Sequence, residues 1–107
     1  MTVTNLPVVI EKFIAANNAH DADALAALFG PGATVADDGK THSTEAEIRA
    51  WIQSHLIDPN ITVTPKSYDA GRLVAASDGD FPGSPFDFAF DFETQDDAIT
   101  SLSIELA

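Results

Sequence analysis

Cysteine is absent from this 107-residue chain, and that omission removes disulfide scaffolds, thiolate metal sites and cysteine nucleophiles. It also leaves the redox compartment unmarked. Basic residues are scarce: five Lys plus Arg stand against 17 Asp plus Glu, a formal charge of -12. This balance repels phosphate backbones and anionic headgroups at long range, so neither nucleic acid nor a membrane is expected as a partner. No apolar stretch is long enough to span a bilayer, and Met1–Ile10 carries neither a basic leader nor an apolar run of signal length. A cytoplasmic location is the expectation. Histidine pairs at HxxxH or HExxH spacing, nucleophile elbows, P-loops and dinucleotide fingerprints are all missing, so no metal and no cofactor are expected.

What is present is a chain 45% hydrophobic, enough for a packed interior and, at this length, for one domain over residues 1–107. From Leu6 to Asn18 the inward positions Val9, Ile10, Phe13, Ile14 and Asn17 recur at three- and four-residue steps, the period of a helix with one buried face. Asp21 caps a second short helix with Leu25, Leu28 and Phe29 inward, and Gly30, Pro31 and Gly32 are expected to stop it. Ala33–Asp38 then alternates as a strand, Val35 and Asp37 sharing one face. Thr44 with Glu47 forms a capping-box pair opening a third helix, whose stripe is Ile48, Trp51, Ile52, His55 and Leu56. Short alternating runs after Asn60 read as four strands, roughly Ile61–Asp69, Arg72–Asp80, Phe86–Glu93 and Ala98–Leu106. In the third, Phe86, Phe88, Phe90 and Phe92 face the core while Asp87, Ala89, Asp91 and Glu93 face water. The layout is α+β, with helices gathered on one face of a mainly antiparallel sheet.

Three stretches, AHDADALAALFGPGATVADDG, TEAEIRAWI and GDFPGSPFDFAFDFE followed by ITSLSIEL, resemble SnoaL-like members of the nuclear transport factor 2-like superfamily. The resemblance covers nearly the whole chain. It implies a cone in which three helices lie in a strongly curved sheet, open at one end to a mostly apolar pocket. It also implies a homodimer formed through the outer face of the sheet. In ketosteroid isomerase-like members a general-base Asp ends the strand after the second helix, and the stretch ATVADD matches it to Asp37. The Tyr that serves those members as oxyanion donor is matched by Phe13, which has no hydroxyl. A second acidic donor is missing near Phe88. Losing one such donor typically costs about a hundredfold or more in rate, which argues against steroid isomerisation of the usual kind.

Asp37 is the leading catalytic candidate, because a carboxylate facing apolar walls has its charged form disfavoured and is readied to take a proton. The plain alternative is that it only terminates the strand. His42, near it in sequence, is the candidate partner for an Asp and His pair of the dehydratase type. His55 lies on the inward stripe of the third helix, as a pocket residue or a core-edge histidine. His20 occupies a turn and is expected to be solvated. Phe13, Asn17, Val35, Trp51, His55, Phe88 and Phe90 are expected to line a ligand cavity, although a solid core would produce the same pattern. The FPGSP turn from Phe81 to Pro85 reads as a rigid link. Two functions follow: a cofactor-free isomerase, cyclase or dehydratase acting on a small apolar molecule, or a non-catalytic ligand-binding or dimerisation module.

Overall fold

The computed structural model describes residues 6–37 and 39–107, so Asp38 and Met1–Asn5, read above as strand end and chain start, lie outside the described residues. Helix α1 is Val8–Asn18, with Pro7 ahead of its first turn, where a missing amide costs nothing. Helix α2 is Ala22–Ala27; the Asp21 side chain caps it by accepting from the Ala24 amide at 3.1 Å. Helix α3 is Glu45–Ile52, and its capping box is complete: Glu47 N–H donates to Thr44 Oγ1, and Glu47 Oε1 accepts from the Thr44 amide.

Six strands form one sheet: β1 (Phe29–Asp37), β2 (Lys40–His42), β3 (Thr62–Asp69), β4 (Arg72–Asp78), β5 (Phe86–Gln95) and β6 (Ala98–Leu106). Their order is β2-β1-β6-β5-β4-β3, parallel only between β1 and β6. The helices fill the concave face, where Phe13, Trp51, Ile52, Leu73, Ile99 and Leu102 are almost wholly buried. This is the expected α+β cone, a curved and mainly antiparallel sheet around helices.

Three local expectations need correction. Gly30, Pro31 and Gly32 do not stop a helix in a loop; they lie inside β1, which starts at Phe29. The Ile99 amide donates to Leu28 O at 2.8 Å and draws the chain into the sheet at once. Pro31, which lacks a donor, falls in the break of register between Phe29 and Thr34, where the ladder does not need one. The third helix does not run through Leu56 in one form either, because Gln53–Ile57 is a wider π-helical turn closed by Asp58 N–H on Gln53 O. Strand β2 was not expected, being three residues long with no alternation to reveal it.

The phenylalanine strand keeps its parity but not its uniform burial. Phe90 and Phe92 are core, Phe88 is half-buried and Phe86 is 41% exposed at the open end of the cone. On the other face Ala89 is fully buried rather than wet, being a small side chain between Val74 and Glu105 in the middle of the sheet.

Candidate functional site

A cavity of about 660 Å³ opens between the π-helical turn, the end of β1 and the inner face of β5 and β6. Its walls are chiefly apolar. Phe81, Phe86, Phe88 and Phe90 form one side, with Ile104 and Leu106; Leu56, Pro59 and Ile61 form the other. Asp37, Ser54, His55 and Ser77 bring polar groups to it. Glu105 also borders the space, but its carboxylate accepts from Arg72 Nη1 at 3.2 Å on the sheet's outer face.

Asp37 reaches the cavity because it ends β1 two residues after buried Val35, on the same face. Trp51, only 1% exposed, donates its indole N–H to Asp37 Oδ2 at 2.9 Å. A charge-assisted bond of this kind fixes the carboxylate's plane. Oδ1 takes no hydrogen bond from the described residues, and Asp37 is one of the residues that line the cavity. The rings of His42 and His55 both lie near the indole, at centroid distances of 6.5 and 6.4 Å, His55 in a stacked arrangement. His55 Nδ1 is 2.8 Å from Ser54 Oγ, which leaves its Nε2 unengaged among the described residues. The π-helical turn, a feature that recurs at functional sites, sets this ring over the indole and into the cavity wall.

Of the residues singled out in the sequence, the structure brings Asp37, His55, Phe88 and Phe90 to the cavity. Phe13, Val35 and Trp51 are packed beneath it; Phe13 meets Phe92 and Phe90 edge to face, at 5.3 and 6.3 Å. Asn17 is fully buried and donates to Ile61 O at 3.1 Å and Asn18 Oδ1 at 3.2 Å, while its own Oδ1 has no partner among the described residues. His42, on β2 opposite Val35, borders Trp51 rather than the cavity. His20 is not simply solvated: its Nε2 is 2.9 Å from Ile61 O, tying the end of α1 to the start of β3.

Sequence reasoning missed Phe81, Phe86, Ser77 and Leu106 as wall residues, and missed Trp51 as the group that holds Asp37. The signal for the first two was present in the FPGSP turn. Its flanking rings, Phe81 and Phe86, stack at 5.9 Å, and Ser84 Oγ anchors the turn by donating to Gly79 O at 2.8 Å.

A second hollow of about 440 Å³ lies at the other side of β1, between α2 and α3. Its one cation is already engaged. Arg49 donates to Asp23 at 3.1 Å and lies 3.6 Å from Glu45, and the Asp23 contact raises the guanidinium above its ordinary value. No group of three or more metal-ligating side chains gathers among the described residues. Among them, no helix is long and apolar enough to cross a membrane.

Comparison with known proteins adds to this geometry. A family model described as the SnoaL-like domain matches residues 10–102. A putative polyketide cyclase from Sinorhizobium meliloti is 29% identical, with a TM-score of 0.84 over 94% of this chain and 95% of that one. The epoxide hydrolase/cyclase-like enzyme SalBIII of pyran ring formation in salinomycin is 20% identical, with a TM-score of 0.81 over 92% and 88%. A protein of ketosteroid isomerase-like fold from Catenulispora acidiphila is 24% identical, with a TM-score of 0.74 over 96% and 88%. No curated protein sequence matches significantly.

Proposed function

The chain belongs to the SnoaL-like domain family, and from that premise we propose that its cavity binds a small apolar carbonyl compound on which Asp37 acts as a general base. The chemistry is cofactor-free, of the isomerase, cyclase or dehydratase kind. One observation carries this reading: a carboxylate in the wall of a chiefly apolar cavity, oriented through Oδ2 by a buried indole. Oδ1 takes a proton from the carbon next to the carbonyl, and negative charge then develops on the carbonyl oxygen. His55, on the same wall, is the side chain placed to donate to that oxygen through Nε2. His42 supports the indole and acts on Asp37 only through it. The likeness to a putative polyketide cyclase favours ring closure among the three reaction types. The protein is a homodimer through the outer face of the sheet.

A second reading, a binding module without catalysis, is favoured by Phe13. A residue 1% exposed and locked between two other rings offers no hydroxyl to an oxyanion.

The test is solvent deuterium exchange into a panel of β-keto esters and cyclic enones, followed by NMR. The expected result is exchange by the native protein that falls roughly a hundredfold or more in Asp37→Asn, the range for loss of a general base, with ligand binding retained. Equal exchange by Asp37→Asn overturns Asp37 as the base, and binding without any exchange by the native protein selects the second reading.

A further inference from the structure

The cavity's charge pattern specifies more than apolarity. No Lys or Arg lines it, and His55 is the one lining side chain able to carry positive charge. Lys40 pairs with Asp37 in the strand register, yet makes no ion pair with it. The carboxylate of Asp37 therefore sits in the wall with one hydrogen bond, from Trp51, and no ion pair among the described residues.

Around the mouth the same sign prevails. Phe81 and Pro59 belong to loops that carry Asp58 and Asp80, with Asp78 at the end of β4, and these loops are joined by Asp80 N–H donating to Pro59 O and Asn60 Nδ2 donating to Asp80 Oδ2. On the outer face of the sheet the basic residues are engaged by carboxylates: Lys66 bonds Asp87 at 2.9 Å, and Arg72 bonds Asp91 at 2.9 Å and Glu105 at 3.2 Å. Within this acidic rim stand Phe81 and Phe86, nearly parallel at 5.9 Å, with Phe88 edge-on to Phe86 at 6.4 Å. Aromatic faces are negative, and several rings beside a carboxylate form a surface that attracts an ammonium group while rejecting an anion. The net charge of -12 draws cations toward the mouth from a distance.

We propose that, among carbonyl compounds, the cavity is selective for those that carry an amine or quaternary ammonium group on an apolar body, the cationic group held against the rings of Phe81, Phe86 and Phe88 in the field of Asp37. This rests on the reading that the cavity binds a small molecule and names its class. Carboxylate- and phosphate-bearing ligands are excluded by the same charges.

Three probes of related shape test it by calorimetry and by the fluorescence of Trp51, the chain's single tryptophan, which lies against the site: benzyltrimethylammonium, its uncharged isostere neopentylbenzene, and the anion phenylacetate. The cation is expected to bind about tenfold more tightly than the isostere, with no detectable binding of the anion. Asp37→Asn weakens the cation several-fold and the isostere little, and Phe86→Leu, tested separately, weakens the cation more than the isostere. Phe86 is partly exposed, so its replacement tests the rings without emptying the core. Equal binding of cation and isostere, or preferred binding of the anion, overturns the ammonium class while the cavity reading stands. Binding of none of the three overturns both.

Discussion

Trp51 and Asp37 show how two residues of ordinary sequence signal become one unit. The indole N–H has no other partner in its buried surroundings, and the carboxylate loses its orientation without it. Trp51→Phe removes the donor together with three ring atoms from a packed site, so it is expected to destabilise by about 2–3 kcal/mol, a lost hydrogen bond plus a cavity. Urea unfolding measures this, and an unchanged midpoint would show that the bond contributes nothing. Phe13→Ala, by contrast, empties a site among packed rings and is expected to cost about 3–5 kcal/mol. The parity that put Asp37 on the face of Val35 was legible in the sequence, because alternation along a strand is a property of the backbone. The donor was not, since Trp51 is separated from Asp37 by 14 residues and only packing joins them.

Helix α3 and the hairpins position those residues. The capping box at Thr44 starts α3 in the phase that turns Trp51 inward, and Thr44→Ala is expected to cost about 1 kcal/mol in thermal or urea unfolding. Glu47, the box's other half, is held below its ordinary carboxylate value, first by the Ser43 backbone N–H and then by that of Thr44. A carboxylate with a lowered folded-state value contributes stability at and above neutral pH. That contribution is lost as pH falls below about 4.3, the unfolded value, and through the folded one. Glu47→Gln is therefore expected to flatten part of the acid limb of a stability-versus-pH curve, and an identical limb would refute this. In the β3–β4 hairpin Ala70 and Gly71 both have positive φ, 47° and 91°, and a Cβ on Gly71 would stand 2.8 Å from Phe92 O. Gly71→Ala strains the turn and pushes on β5 together. Capping, the hairpins and the helix periods were all readable, being local. The strand placement of Gly30–Gly32 was not, because β6, far away in sequence, decides it; β2 and the π-helical turn are local but too short to leave a periodic signal.

At the scale of the whole molecule, the helices fill the concave face and leave the outer face of the sheet to polar pairs such as Lys66–Asp87 and Arg72–Asp91. These pairs are about half exposed, so each adds little to the folding of one chain. Arg72, between Asp91 and Glu105, is raised above its ordinary value by Glu105 first and Asp91 next, and it changes nothing in the core. Arg72→Glu is accordingly expected to leave the unfolding midpoint almost unchanged, while placing like charges on the face proposed to meet a second copy. Sedimentation at micromolar concentration should show a dimer for the native chain and a monomer for the variant. A native monomer would refute the pairing.

The sequence by itself determined the number of helices, the four late strands, the inward face of β1 and the acidic surface, because periodicity, capping and charge act over a few neighbouring residues. Tertiary structure alone decided that the aromatic strand divides into core at Phe90 and Phe92 and an open wall at Phe86 and Phe88. The helices cover only part of a curved sheet, and burial depends on what stands opposite a ring rather than on the ring.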